Sequence, residues 1–432
     1  MLKTLWPPIQ LIILIHAIAQ TAGLAADAGS IFLRLTQPAK ALQLLEFGRG
    51  LILGYLIDSR SRPESLYADH PSLAQESRED LIQSKQNAPR ELERCLATIR
   101  AQPGYERFLL EPAIEELVVQ AQEGPLVTVN VTDFGSHAVI SLSWLWEHLV
   151  APILDSIASR MRGHVSRPRI WWIGTGVANA LPFHAAGMHD GSTKNTLDRA
   201  ISSYTPTIKA LAYARSCLNR IQFSGSPTSV VIVAMPTTPQ GRPLPGVEDE
   251  ITAIQQAAGA LYRIQVQQHP GSEDVLQAIQ ETDIVHFACH GSCNPVDPSE
   301  SHLLLQNNRL SPPVVDRLSV KRISDLVLHR ARIAFLSACS TAQVTAHRLT
   351  DEAIHLASAF QVAGFGHVIA SLWSADDAAC AAIARAFYSH LAQESARLFS
   401  NRLVAEALHN AVLEVRKTER PVVWASFVHY GA

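Results

Sequence analysis

Residues 283–291 read "DIVHFACHG" and residues 332–342 read "RIAFLSACSTA". Each opens with a nearly continuous apolar run of strand length. A strand solvated on one face alternates apolar and polar residues, whereas one buried on both faces does not, so both read as central strands of a parallel sheet. Each run ends in polar, reactive residues: Cys289, His290 and Gly291 after the first, Cys339, Ser340 and Thr341 after the second. In an open α/β sheet, reacting groups collect beyond the carboxyl ends of the strands. If the two strands are parallel neighbours, His290 and Cys339 leave the sheet at one rim.

The surrounding sequence fits such a sheet. From about residue 125 onward, β-rich runs alternate with amphipathic helical stretches. The predicted strands are "LVTVNVT", "HAVISLSW", "RIWWIG", "TSVVIVAMP", "RIQVQ", "DIVHFACH", "HLLLQ", "RIAFLSAC" and "HVIASLW". The helices between them include "GVEDEITAIQQAAGAL", "SEDVLQAIQET", "DEAIHLASAFQVAG" and "DAACAAIARAFYSHLAQ". Strands alternating with helices imply parallel pairing and crossovers. The expected fold class is therefore α/β, a mostly parallel sheet covered by helices. Residues 1–122 read differently. "PAKALQLLEFGRGLILGYLID" and "RELERCLATIRAQ" carry apolar residues at three- and four-residue spacing, with a polar, proline-containing connector between them. This helical segment has the character of a remnant of a helical-repeat array plus a connector. The expected second domain is 125–432.

Composition narrows the function. The chain has 432 residues, 47% hydrophobic and 17% charged, with a formal net charge of -3. No basic field argues for nucleic acid. The apolar run Leu11–Ile15 is too short for a membrane span and is read as part of a helix rather than a secretory signal, so a cytoplasmic protein is expected. Six cysteines without regular spacing are read as reduced thiols.

The cluster around His290 admits three readings. A zinc site of His286, Cys289, His290 and Cys293 would need both faces of one strand at once, and the chain offers no second knuckle. A dithiol of Cys289 and Cys293 has the wrong spacing for a redox motif. The third reading is half of a catalytic site. His290 stands 49 positions upstream of Cys339, near the roughly 50 found in caspases. An imidazole can take the thiol proton and return it to the leaving amine, and the thiolate is the nucleophile. The N–H groups of Gly291 and Cys339 would form the oxyanion hole. Alternation puts Cys289 on the other face with Val285 and Phe287, as a core thiol. No Asp or Asn stands out as an orienter, so a dyad is expected. Trp373, Asp376 and Asp377 follow the next strand and are placed to line a substrate pocket, where an acid would favour a basic side chain. No metal and no cofactor are expected. His184 in "LPFHAAG" is read as a connection residue rather than a second base.

"DIVHFACHG", "LSACSTA" and "DEAIHLASAFQVAGFGHVIASLW" together resemble the CHAT domain, a caspase-like domain related to separases that commonly follows tetratricopeptide repeats. "RIWWIGTG", "LPFHAAG", "SSYTPTIKAL", "VVIVAMP", "LPGVEDEI" and "WASFVHYG" fit the form of the family found in filamentous fungi. The resemblance implies a caspase-type cysteine endopeptidase fold, with His290 and Cys339 on the family's catalytic His and Cys, and a protein substrate or signalling partner. The repeat array is missing or reduced here. The competing reading is a non-catalytic signalling or scaffold domain that keeps the fold.

Overall fold

The computed structural model describes residues 23–54, 56–58, 97, 100–101, 113–129, 142–160, 167–221, 227–294, 297–309, 311–338, 341–342, 355–374, 377–393 and 400–432. Twelve strands among them form two sheets. The large one has nine strands in the order β1-β2-β3-β12-β11-β10-β6-β4-β5. Its members are β1 (Leu126–Val129), β2 (Arg169–Gly174), β3 (Ile201–Tyr204), β4 (Ser229–Ala234), β5 (Arg263–Gln268), β6 (Ile284–Ala288), β10 (Ile333–Ser337), β11 (His367–Ser371) and β12 (Phe427–Gly431). All pairs are parallel except β11 with β12. The small sheet, β7-β8-β9, contains β7 (His290–Ser292), β8 (His302–Asn307) and β9 (Val314–Ser319), paired antiparallel. The fold is the expected α/β, mostly parallel sheet with helices, preceded by a helical N-terminal portion.

The two faces of the sheet carry separate cores. Val285, Phe287 and Cys289 of one register face pack with Val231, Val233, Leu336 and Phe360. Ile284 and Ala288 of the other face pack with Ile232, Phe335, Ile254 and Phe387. Full burial on both sides explains the unbroken apolar runs of β4, β6 and β10. Edge strand β5 is half exposed, and its sequence "RIQVQQ" alternates.

Some expectations need correction. "HAVISLSW" is not a strand over its described part: Leu142–Leu145 is helical and continues through Ala151–Arg160. The physical reason is visible in Leu142, Leu145, Trp146 and Leu149, whose three- and four-residue spacing outweighs the β-branched residues before them. Strands β3, β7, β9 and β12 are short or polar and have no strong sequence signal. The expected helix at residues 1–22, the connector up to residue 80 and most of the expected helix at 90–102 lie outside the described residues.

The N-terminal portion contains helices Leu24–Arg34 and Pro38–Phe47. They approach closely because Gly29 has no side chain; a Cβ there would come 2.8 Å from Leu45 Cγ. Leu53 and Ile57 then pack on Ala210, Tyr213 and Val362 of the α/β body. Lys209 Nζ meets Asp58 Oδ2 at 2.7 Å, and Glu46 Oε1 accepts the Lys209 N–H at 2.9 Å.

Five of the buried histidines make the fold sensitive to acid. Burial holds the imidazoles of His184, His355 and His367 down at about 3 and that of His409 at about 4, and pushes His429 well below its ordinary value. Desolvation of the charged form leads in every case, and the Arg169 cation adds to it at His367 and His429. Unfolded histidines titrate near pH 6.5. Below that pH the unfolded chain binds more protons than the folded one, so stability falls as the pH falls. Each site contributes a slope of up to about 1.4 kcal/mol per pH unit between roughly 6.5 and its folded value. Unfolding near pH 5.5 is expected to take up about four to five protons. Denaturant titrations followed by circular dichroism at stepped pH measure this uptake; a value under about one proton would contradict the account.

Candidate active site

The rim beyond β6 and β10 is built by register. The two strands pair in parallel with Ala288 opposite Ser337. His290 comes two residues after Ala288. At Cys289 the chain bends out of the large sheet and begins β7, where His290 pairs with Leu304 and Gly291 with Leu303. Cys289 itself is 2% exposed and packs in the core with Val285 and Phe287, on the face that alternation assigns to it.

His290 is half-buried. Its Nε2 lies 2.7 Å from the carbonyl oxygen of Arg242. A carbonyl oxygen only accepts, so Nε2–H donates and Nδ1 is the nitrogen left to take up or release a proton. The orienting group is therefore a backbone carbonyl, for which side-chain identity gives no signal. A tight turn holds that carbonyl. The Gly241 N–H donates to Thr238 O at 2.9 Å and the Leu244 N–H to Pro236 O at 2.8 Å. Gln240 within this turn takes φ 65, a left-handed conformation uncommon for a residue with a side chain.

Beside His290 lies a cleft of about 380 Å³, open to solvent. Its walls include Glu250, Gly246, Ser337, Asp377 and Cys380. Gly246 begins helix Gly246–Ala258 and Asp377 begins helix Asp377–Gln393. The two helix starts nearly touch: a Cβ on Gly246 would fall 2.8 Å from Asp377 Cβ. Glu250 shares the buried stripe of its helix with Val247, Ile251 and Ile254. An acid at core-facing spacing is the sequence signal that could have found it. Its Oε1 accepts from His286 Nε2–H at 3.0 Å, and His286 Nδ1 meets the Tyr388 hydroxyl at 3.3 Å. His286 is thus a buried support beneath the cleft. Ser337 Oγ is buried in the wall and has no hydrogen-bond partner among the described residues.

The other predicted site residues are placed as follows. Gly291 follows His290 in β7. Trp373 is half-buried against both cores and its indole N–H donates to Val422 O at 2.8 Å. Asp377 lines the cleft; Asp376 and Cys339 lie outside the described residues. His184 is buried elsewhere, with Nδ1 2.8 Å from the Tyr204 hydroxyl, in a cavity shared with Ser202, His409 and His429. Among the described residues no group of three or more His, Cys, Asp or Glu is arranged to hold a metal ion, and no helix is long and apolar enough to cross a membrane.

The Glu250–His286 bond yields a stability prediction. Glu250→Ala leaves a fully buried His286 N–H without its acceptor, which costs about 1–3 kcal/mol. Cys289→Ala removes one small core group and costs on the order of 1 kcal/mol. Urea unfolding of the two variants should therefore rank Glu250→Ala as at least as damaging; the reverse order by a clear margin would refute the assignment.

Comparison with known proteins adds the family. Among solved structures, the Arg specific cysteine proteinase gingipain R is similar at 11% identity and a TM-score of 0.45, over 72% of this chain and 77% of that one. Separase in the Saccharomyces cerevisiae separase–securin complex is similar at 14% identity and a TM-score of 0.40, over 98% of this chain and 27% of that one. No curated protein matches the chain in sequence. The CHAT domain model matches residues 139–432, which takes in β6, β10, the cleft and the C-terminal strand. The chain belongs to the CHAT domain family.

Proposed function

We propose that this chain is a caspase-like cysteine endopeptidase in which His290 is the base and Cys339 the nucleophile. The observation that supports this most is the state of His290: Nε2–H is committed to the Arg242 carbonyl at 2.7 Å, leaving Nδ1 as the proton acceptor at the mouth of a cleft. The Ala288–Ser337 register adds to it, since His290 and Cys339 each stand two residues beyond that pair in sequence. A base within reach of its nucleophile and oriented by a third group is the general arrangement of nucleophilic catalysis.

The reaction follows from these groups. The Cys339 thiol gives its proton to His290 Nδ1, and the thiolate adds to the scissile carbonyl carbon. The oxyanion takes hydrogen bonds from the N–H groups of Gly291 and Cys339. Collapse breaks the C–N bond, and the leaving amine receives the proton from Nδ1, so a thioester remains. Water then gives a proton to Nδ1 and adds to the thioester carbonyl; release of the acid returns the thiol. Glu250 and Asp377 in the cleft, with the unpartnered Ser337 Oγ, suit a basic side chain next to the scissile bond.

Purified protein is to be assayed on a panel of peptides that varies this position. Cys339→Ala is expected to abolish hydrolysis while leaving the fold intact, His290→Ala to do nearly the same, and the double variant to be barely worse than either single one, because members of one catalytic unit are non-additive. Cleavage retained by Cys339→Ala but lost in Cys289→Ala or Cys293→Ala would place the nucleophile elsewhere. Silence of the unmodified protein on the whole panel, with no labelling of Cys339 by thiol-reactive activity probes, would favour the scaffold reading. Asp377→Asn should lower kcat/KM for arginine or lysine substrates by roughly tenfold or more and leave neutral ones nearly unchanged; an equal loss on both would remove Asp377 from specificity.

A further inference from the structure

We propose that Tyr388 is a positioning residue that holds His286 in its neutral form, Nε2–H toward Glu250, and so keeps the charge of Glu250 free for the cleft. This rests on the reading of the cleft as the pocket for a basic side chain and goes beyond it by naming what sets the charge there. Three side chains form a line beneath the cleft. Glu250 comes from helix Gly246–Ala258, His286 from β6 and Tyr388 from helix Asp377–Gln393. Glu250 Oε1 lies 3.0 Å from His286 Nε2, and the Tyr388 hydroxyl lies 3.3 Å from His286 Nδ1. His286 and Tyr388 are fully buried, and Glu250 is 3% exposed. Within the sheet His286 stands between Ile232 of β4 and Phe335 of β10, and its ring stacks on Phe335. Among the described residues, the titratable groups bonded to it are thus Glu250 and Tyr388, and the buried Tyr262 hydroxyl acts in turn on Tyr388.

Counting protons along the line fixes the form of the imidazole. A tyrosine hydroxyl has one proton to donate. Burial, with the Glu250 charge adding to it, holds the Tyr388 hydroxyl well above its ordinary value, so that proton stays on. Among the described residues His286 Nδ1 is the acceptor it meets. Nδ1 then presents a lone pair, and Nε2 carries the hydrogen given to Glu250. A second proton on His286 would turn Nδ1 into a donor and leave the Tyr388 O–H without an acceptor, which a fully buried site penalises. An imidazolium would also cancel the carboxylate charge beside it. With the imidazole neutral, Glu250 keeps a net charge: Oε1 is held by His286, and Oε2 makes no hydrogen bond among the described residues. A cationic side chain entering the cleft therefore meets the charges of both Glu250 and Asp377. Tyr388 acts on that side chain only through His286 and Glu250.

The test separates charge from packing. Purified protein is assayed on arginine, lysine and neutral peptides near pH 7.5, where a change in the charge of an imidazole is read most easily. Tyr388→Phe removes only the hydroxyl. It is expected to lower the ratio of kcat/KM for basic over neutral peptides by roughly tenfold, with neutral peptides kept within about threefold. His286→Gln is the conservative variant: its amide can donate to Glu250 and accept from Tyr388, yet cannot take up a proton. It should keep the ratio within about threefold, and adding Tyr388→Phe to it should change the ratio little, so the two changes are coupled. Nitrogen NMR spectra of protein labelled at histidine read the form of the ring directly, with the His286 signals assigned by their absence in His286→Gln. The unmodified protein should show one protonated and one bare ring nitrogen, and Tyr388→Phe an imidazolium. An imidazolium in the unmodified protein overturns the proposal, and so does an unchanged ratio in Tyr388→Phe. An equal loss on basic and neutral peptides overturns it too, since that would mean general distortion. If His286→Gln fails to fold, the ratio and the spectral change in Tyr388→Phe decide alone. No preference for basic peptides in the unmodified protein sinks the reading of the cleft. A ring that stays neutral in Tyr388→Phe sinks this inference alone, and the spectra need no turnover to show it.

Discussion

The parallel pairing of β6 with β10, Ala288 opposite Ser337, is the constraint on which the rest of the rim depends. Parallel neighbours end on the same edge of a sheet, so Ala288 and Ser337, 49 residues apart in sequence, come to one place. The pairing is secured from both sides. Phe335 stacks on His286 with ring centroids 4.7 Å apart, and Phe287 meets Phe360 edge-on at 5.4 Å. A one-residue slip would send every side chain of β6 to the opposite core. Neither face offers room for that, because Val285, Phe287, Ile284 and Phe335 are all fully buried.

Period two then divides the labour within a single segment. Cys289 points into one core with Val285 and Phe287, while His286 points into the other and supports Glu250 at the cleft. His290 belongs to neither core. The bend at Cys289 moves the chain from the two-sided burial of β6 to the half-buried β7, and only there can an imidazole both reach the cleft and meet a loop carbonyl. Three reactive side chains within five residues thus have three roles. Their crowding in sequence implies no shared ligand.

What was legible in the sequence follows from how each feature is encoded. Fully buried strands have a composition signature, so β2, β4, β6, β10 and β11 could be read directly. β7 and β12 could not, since "HGS" and "FVHYG" are too short or too mixed, and the partners of β12 come from distant segments. His290 was legible because its residue type carries chemistry. Its orienter was not, because any residue at position 242 presents the same carbonyl. Glu250 lay between these cases: its spacing among Val247, Ile251 and Ile254 marks it as buried, but only the fold reveals that His286 and the cleft are what it meets. Ser371 in "ASLW" reads as an ordinary strand residue, and its three bonds to residues 338–342 depend wholly on tertiary placement.

Among the described residues, the rim is held by polar bonds to backbone groups. An acidic orienter could be deleted by one substitution; the Arg242 carbonyl cannot, and responds only to changes in the turn that aims it. That turn is closed by two backbone bonds, Gly241 N–H to Thr238 O and Leu244 N–H to Pro236 O, with Gln240 held at φ 65 between them. On the other strand, the direction of the Ala338 carbonyl depends on a serine hydroxyl from β11. His290 and Ala338 therefore each take a hydrogen-bond partner from a neighbour one strand or one loop away. Groups one strand or one loop away thus fix the directions of the His290 imidazole and of the Ala338 carbonyl.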